Sequence, residues 1–121
     1  MSDNREPARR TGNPLFNRGG DISNVRFQES LRARYDELVE AFGGPNAPEA
    51  LYSQESDVRW TITGQDGTVA TIYNWKDGPA YLGSRGTPVE DLCDWHVAGH
   101  DRRAVELVQA VLEAKRAKPD N

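Results

Sequence analysis

One segment of the sequence, DVRWTITGQDGTVATIYNW at residues 57–75, limits the fold more than any other. Apolar and polar side chains alternate from Val58 to Ile62, which is typical of a β-strand with one buried face. The turn residues Asp66 and Gly67 follow, and a second run rich in β-branched and aromatic residues begins directly after them. The segment predicts a β-hairpin, so the fold must contain a sheet.

Helical patterns lie on both sides of the hairpin. Apolar residues recur at helical spacing in YDELVEAF, and the glycines and proline of residues 43–45 stop the pattern, so we predict a helix over residues 34–42. The preceding residues 25–33 fit either a short strand or the start of that helix. A third strand is predicted over residues 92–97, and Asp101 can cap a final helix with a broad apolar stripe.

The predicted order of elements, α-β-β-β-α, is typical of an α+β domain. In such a domain, helices cover one face of an antiparallel sheet, here of about three to four strands. At 121 residues the chain suits one domain, which we place at residues 25–118. Residues 1–24 are rich in Gly, Pro, Asn, Asp and Arg and predict a flexible, disordered arm. Residues 119–121 are predicted to form a short tail.

Charge is distributed unevenly along the chain. Residues 1–34 contain seven arginines and four acidic residues, a net charge of +3, whereas residues 35–121 have a net charge of −7. The basic arm is compatible with binding to nucleic acid or to an acidic partner, and equally with a solvated tail. The acidic body argues against a DNA-binding domain, and we expect no sequence-specific nucleic acid partner.

The sequence also bears on where the protein works. No apolar run approaches the roughly 20 residues that span a bilayer, and no secretory signal pattern is present. The single cysteine, Cys93, excludes an intramolecular disulfide. These features favour a cytoplasmic protein, and we expect no membrane partner.

The two faces of the predicted sheet can be assigned from the hairpin. A two-residue turn predicts a register in which Trp60 faces Tyr73 across the two strands, and a shift of one residue would exchange the faces. The residues predicted to face the core are Val58, Trp60, Ile62, Val69, Tyr73, Trp75, Cys93, Trp95 and Val97. Those predicted on the other face are Arg59, Thr61, Thr63, Ala70, Ile72, Asn74, Lys76, Leu92, Asp94 and His96.

Catalytic and metal-binding signatures are weak. His96 and His100 flank a predicted turn instead of lying along a helix, and the HExxH pattern of zinc enzymes is absent. Asp94 and His96 share a face and could act as an orienting group and a general base. Such side chains are common on strand surfaces, however, so we predict no enzyme, no metal and no cofactor.

Binding chemistry is better represented on the uncovered face. Cationic side chains and histidine suit phosphate, an asparagine amide suits an amide or a base edge, and an aromatic side chain can stack on a planar ring. The candidate residues for binding a ligand or partner are Arg59, Asn74, Lys76, Tyr81, Asp94 and His96, with Arg18 from the arm.

Several motifs resemble a family of small accessory proteins that is widespread in bacteriophage genomes. The similarity covers about residues 35–112, and its most specific parts are DGTVATIYNWKDG and DWHVAGH followed by AVELV. The resemblance implies a small phage accessory protein, and neither a virion shell protein nor a replication enzyme. No site residue is carried over from the family.

Small phage accessory proteins without catalytic signatures often counteract host defences, so the resemblance implies a counter-defence function. We expect a non-enzymatic protein that inhibits a bacterial immune or regulatory complex in the host cytoplasm by direct protein–protein binding. Two alternatives remain open: a protein that sequesters a nucleotide-type immune signal, and a minor structural or assembly protein of the phage. The polar sheet face or a free edge strand could also form a homodimer.

Overall fold

Five antiparallel strands form one sheet in the computed structural model, which describes residues 15–46 and 55–117. The order across the sheet is β1-β3-β4-β5-β2, so the first two strands lie at opposite edges. The protein is α+β, as predicted, with more strands than the three to four expected. The elements are β1 (Phe16–Arg18), β2 (Arg26–Arg32), α1 (Tyr35–Phe42), β3 (Arg59–Gly64), β4 (Val69–Tyr73), the short α2 (Pro79–Leu82), β5 (Asp94–Gly99) and α3 (Arg103–Ala117).

Helices α1 and α3 cover one face of the sheet, and the core lies between them and the strands. Trp60 and Trp95 are fully buried there, with ring centroids 5.5 Å apart in an edge-to-face arrangement. The indole N–H of Trp60 donates to the Gly43 carbonyl at 2.7 Å, and that of Trp95 donates to the Ala33 carbonyl at 2.8 Å. Because these two carbonyls lie just beyond the two ends of α1, the tryptophans fix this helix on the sheet.

The helix predicted at residues 34–42 is confirmed as α1. Residues 25–33, which fit either a short strand or the start of that helix, contain strand β2. At the start of α1, the backbone N–H of Arg34 donates to the Glu37 carboxylate at 2.9 Å. At its end Gly43 has a φ of 88°, which glycine tolerates best.

No helix in residues 15–46 and 55–117 has the length and apolarity needed to cross a membrane.

The predicted hairpin is present, but its register differs from the prediction by one residue. The turn is closed around three residues, 65–67, and not around two. Gly67 has a φ of 89°, the left-handed conformation that commonly ends a three-residue hairpin loop. Trp60 therefore pairs with Ile72, and the prediction that it faces Tyr73 is wrong.

The shifted register reverses the predicted faces of β4. Ala70 and Ile72, predicted on the uncovered face, are buried in the core. Val69 and Tyr73, predicted in the core, alternate with them and therefore lie on the other face. The predicted faces of β3 and β5 are unaffected, because the alternation of side chains along a strand does not depend on its register with the neighbouring strand. Their confirmed core residues are Trp60, Ile62, Trp95 and Val97.

Residues just outside the strands depart further from the predicted faces. Strand β4 ends at Tyr73, and Trp75 is 41% exposed, so the prediction that Trp75 faces the core is wrong. Val58 precedes β3 and packs partly buried against the core. Cys93 precedes β5 and is also only partly buried.

Part of the predicted flexible arm is a strand. Residues Phe16–Arg18 form β1 beside β3, and the Phe16 ring is buried 5.6 Å from that of Phe42. The chain then crosses the sheet on the face opposite the helices, where a Cβ added at Gly20 would lie 2.4 Å from the Thr63 hydroxyl. The rest of the predicted arm, residues 1–14, and the predicted tail lie outside the described residues.

Candidate binding surface

The sheet face opposite the helices carries a group of aromatic rings centred on His96. Its imidazole centroid lies 4.8 Å from that of the Phe27 ring and 5.5 Å from that of the Tyr73 ring. The Trp75 ring is 6.4 Å away, at 26° to the imidazole plane. We define the ring surface as these four side chains together with the neighbouring Arg59, Lys76 and Tyr81.

Strand pairing explains why the centre of the ring surface assembles. The ladder places Arg59 of β3 opposite Tyr73 of β4, and Tyr73 opposite His96 of β5. Side chains that are directly opposite on one face of a sheet lie close enough to touch. Accordingly, the Arg59 guanidinium carbon lies 4.4 Å from the Tyr73 ring centroid, within reach of a cation–π interaction.

Three members of the ring surface are large apolar groups open to solvent. Phe27 is 52% exposed, Tyr81 49% and Trp75 41%. Single exposed apolar residues are ordinary on proteins, whereas an exposed group of aromatic rings marks a surface that binds something. The exposure therefore makes this face the strongest candidate site in the described part of the chain.

Asn74, predicted to recognise a ligand, is instead fully buried beneath the ring surface. Its Oδ1 accepts the backbone N–H groups of Asp57 at 2.8 Å and Val58 at 3.2 Å. Its Nδ2 donates to the carboxylates of Asp57 at 2.8 Å and Asp77 at 3.1 Å. All four hydrogen-bonding positions of the amide are used, so Asn74 has a structural role.

The loop that follows Asn74 is held closely by its neighbours. The Ser56 hydroxyl donates to the Asn74 carbonyl at 2.6 Å, and Asp57 Oδ1 accepts the backbone N–H of Ala80 at 2.8 Å. At Gly78 an added Cβ would lie 2.1 Å from the Asp57 carboxylate, so no larger residue fits there without a shift. These contacts hold in place the segment that carries Trp75 and Tyr81.

Lys76 projects from this loop between two of the exposed rings. Its backbone adopts a left-handed φ of 59°, which is uncommon for a residue with a side chain, and its N–H donates to the Glu55 carbonyl at 2.7 Å. The ammonium lies 5.5 Å from the Trp75 ring centroid and 5.4 Å from that of Tyr81. Lys76 thus places a positive charge beside both rings.

Burial sets the charge states at the centre of the ring surface. It lowers the pKa of His96, against a smaller opposing effect of the Asp77 charge, so the imidazole is neutral at pH 7. Burial also raises the pKa of Tyr73, which keeps the phenol protonated. The centre therefore presents neutral rings, and the positive charge comes from Arg59 and Lys76.

The remaining predicted site residues lie elsewhere. Asp94 follows the same face of β5 as His96, but its carboxylate pairs with Arg32 at 3.0 Å and both side chains are largely exposed. Arg18 donates to the Gly44 carbonyl beyond the end of α1, away from the rings. Of the seven predicted residues, the structure thus brings together Arg59, Lys76, Tyr81 and His96.

Sequence reasoning missed three rings of the surface. The sequence pattern predicts Tyr73 and Trp75 in the core, and it gives no prediction for Phe27. A signal for Trp75 was present, because it stands in Asn-Trp-Lys-Asp-Gly, a run rich in turn-forming residues that ends a strand. No comparable signal marks Phe27, whose place follows from the pairing of β2 with β5.

The side chains of the ring surface have chemistry that suits binding. Across residues 15–46 and 55–117, no three or more His, Cys, Asp and Glu side chains are grouped so as to hold a metal ion. Rings with adjacent cations can bury apolar area, stack on planar groups and neutralise an anion.

A scan against protein-family models finds no match to the chain, and a search of curated proteins finds none either.

Proposed function

We propose that the chain is a small, non-enzymatic binding protein that docks its ring surface against a partner protein. The observation that carries this proposal is the exposure of Phe27, Trp75 and Tyr81, of which the last two lie on a segment held by buried hydrogen bonds of Asn74. Tryptophan, tyrosine and arginine are the residues most enriched among those that dominate binding energy at protein interfaces. A surface held in place before binding also loses little conformational entropy when the complex forms.

The proposed partner is a bacterial immune or regulatory complex, inhibited by this contact in the host cytoplasm. Support comes from the sequence-based resemblance of residues 35–112 to small phage accessory proteins, a class whose members without catalytic signatures often counteract host defences. An inhibitor of this kind needs an accessible face with anchoring side chains, and it needs no catalytic group.

The experiment that tests the proposal is capture of a partner from bacterial lysate by the immobilised protein and by Trp75→Ala. The matched control is Gln109→Ala, an exposed residue on α3 that lies apart from the ring surface. We expect the same host protein to bind wild type and Q109A, and its affinity to fall at least tenfold for W75A. Equal affinity of all three would contradict the proposal, provided that thermal unfolding shows W75A to be folded.

A second candidate function is sequestration of a nucleotide-type signal, and one observation favours it. The Lys76 ammonium lies beside two exposed rings, so a base could stack on Trp75 or Tyr81 while its phosphate approaches the lysine. Thermal unfolding with cyclic di- and trinucleotides and ADP-ribose tests this candidate. A ligand at 100 times its Kd should stabilise the protein by about 2.7 kcal/mol.

The two candidates give different results with Lys76→Ala. Removal of the ammonium should abolish a nucleotide-induced rise in Tm, since the phosphate loses its counter-charge. It should weaken protein docking much less than loss of the Trp75 ring does. A selective nucleotide effect that K76A removes would favour sequestration over protein docking.

A further inference from the structure

Arg59 is a partly buried cation with no ion pair to a carboxylate of the described residues. Its guanidinium lies over the Tyr73 ring, and its Nη1 donates to the Thr71 hydroxyl at 3.1 Å. Burial lowers its pKa, and neither neighbour supplies the negative charge that would offset the lost hydration. Buried charges in proteins are normally paired, so Arg59 is an exception that needs an explanation.

Most other arginines in the described ranges have a carboxylate partner. Those arginines are more exposed to water, so they depend less on a counter-charge than Arg59 does. Arg18, Arg26 and Arg85 are also without such a pair among the described residues, but all three are exposed to solvent. The burial of Arg59 therefore sets it apart. The five arginine–carboxylate pairs are Arg32–Asp94, Arg34–Asp36, Arg102–Glu29, Arg103–Asp101 and Arg116–Glu37.

Two polar groups on strand β3 also lack a partner among the described residues. The Nε of Arg59 and the hydroxyl oxygen of Thr61 are buried, and neither has a hydrogen-bond partner in residues 15–46 and 55–117. The two residues are two positions apart on β3, so their side chains share the face that bears the rings. Buried polar groups without partners destabilise a fold, and where a protein retains them a ligand is one explanation.

We propose that Arg59 and Thr61 form an oxyanion-binding subsite within the ring surface. The subsite takes the carboxylate of an acidic side chain of the partner protein, and this inference rests on the proposed docking of that surface. A carboxylate supplies the missing counter-charge and accepts hydrogen bonds from the planar guanidinium fork. The Thr61 hydroxyl is a further donor available to it.

The distribution of charge in the molecule supports an acidic partner segment. Helices α1 and α3, on the other side of the sheet, carry five acidic and three basic residues, a net charge of −2. The ring surface contains no acidic member, and its second cation, Lys76, contacts rings and no carboxylate of the described residues. The charged members of the ring surface are therefore cations only, which favours a negatively charged partner segment.

Side-chain NMR tests the subsite without the partner. The Nε–H resonance of Arg59 is followed while three probes are added: a capped peptide with one glutamate between alanines, its glutamine counterpart and inorganic phosphate. We expect a saturable shift with the glutamate peptide, none with the glutamine peptide and a weaker effect of phosphate. The exposed Arg85 provides the internal control and should not shift. A response to phosphate alone would overturn the carboxylate assignment, and no response to any probe would overturn the subsite.

Substitution of Arg59 tests the same subsite in the complex. Arg59→Met replaces a partly buried, uncompensated charge with an apolar side chain, so we expect its Tm to equal or exceed that of wild type. Its affinity for the captured host protein should fall at least tenfold, and Arg59→Lys should recover only part of the loss because it lacks the planar fork. Arg85→Gln should bind like wild type.

The outcomes separate this inference from the proposed function. If W75A loses the partner and R59M retains it, the ring surface docks but the oxyanion subsite is wrong. If both variants retain the partner, the proposed function fails. If R59M unfolds at a much lower temperature than wild type, Arg59 has a structural role. In that case the test passes to folded R59K and to the NMR signal of wild type. Full partner binding by R59K together with an unresponsive Arg59 Nε–H signal would show that the subsite is absent.

Discussion

Asn74 is the residue on which the ring surface depends most, because its buried amide joins three pieces of chain. It connects the end of β4, the residues before β3 and the loop that carries Trp75 and Lys76. No solvent reaches this amide to replace a lost hydrogen bond. The ring surface is thus supported by a polar residue that takes no direct part in binding.

Replacement of Asn74 by alanine should unfold the protein more easily. The variant leaves the backbone N–H groups of Asp57 and Val58 without their acceptor, and we expect a loss of roughly 2–4 kcal/mol in the free energy of unfolding. Urea denaturation measures the change. The control, Asn17→Ala on the exposed side of β1, should change the stability by less than about 0.5 kcal/mol. Equal stability of the two variants would contradict the structural role.

The stability of the protein should fall on mild acidification because of His96. Its pKa is lowered in the folded state by burial, so protonation favours the unfolded chain. The contribution of the neutral His96 imidazole to stability is complete above its pKa of 6.5 in the unfolded chain. It is lost as the pH falls through the lower pKa of His96 in the folded protein. Carboxylates with lowered pKa, such as Glu37 and Asp66, act in the same direction only below their unfolded values of 4.5 and 3.8.

Urea denaturation at pH 7.5 and pH 5.5 isolates the His96 contribution. We expect wild type to be less stable at the lower pH, and His96→Phe, which keeps a ring but cannot be protonated, to lose less stability. An equal loss in the two proteins would show that His96 does not control stability in this range.

Within the hairpin, Gly67 determines which residues of β3 and β4 face each other. The bond between the Gly64 N–H and the Thr68 carbonyl, at 2.8 Å, closes a loop of three residues, and the positive φ of Gly67 completes it. The sequence Asp66-Gly67 is equally typical of a two-residue turn, and that ambiguity is the source of the one-residue error in the predicted register.

Replacement of Gly67 by alanine should destabilise the hairpin. An L-residue with a side chain is strained at a φ of 89°, and we expect a loss of about 1 kcal/mol in the free energy of unfolding. Gly44→Ala is the matched control, since Gly44 has no positive φ and no atom within 4 Å of an added Cβ. Chemical denaturation should separate the two variants, and a loss no larger for G67A than for G44A would rule out the strained turn.

The elements that sequence patterns identified are those with a strong local signal. The hairpin, α1 and α3 each have several residues of matching period together with a stop or turn signal. Strand β1 was missed because three residues, FNR, carry no period of their own and pair only with the distant β3. Long-range pairing decides such a strand, and a local pattern cannot reveal it.

Strand β2 lies at an edge of the sheet but has features that discourage pairing with a second copy. A bulge interrupts its ladder with β5 between Phe27 and Glu29. Arginines stand at its two ends, Arg26 and Arg32, with Glu29 between them. Bulges and charges are the usual means by which edge strands avoid association, so edge pairing of β2 is a weak basis for the homodimer considered from the sequence.

In the molecule as a whole, the two faces of the sheet have different roles. One face packs under α1 and α3 and contains Trp60 and Trp95, while the other carries the exposed rings. Sequence alternation separated these faces correctly on β3 and β5, which brought Arg59 and His96 into the predicted site. It failed for Asn74 and Trp75 because alternation ends where the strand ends, and the turn that follows buries the polar residue and exposes the aromatic one.

The most direct test of the docking proposal is ¹⁹F NMR of protein labelled with 5-fluorotryptophan. The chain has three tryptophans, of which Trp60 and Trp95 are fully buried and Trp75 is 41% exposed. On addition of the unlabelled host protein captured from lysate, we predict that the Trp75 signal alone shifts and loses its response to exchange of H₂O for D₂O. If a complex forms while the Trp75 signal keeps its position and its solvent response, the ring surface is not the docking face.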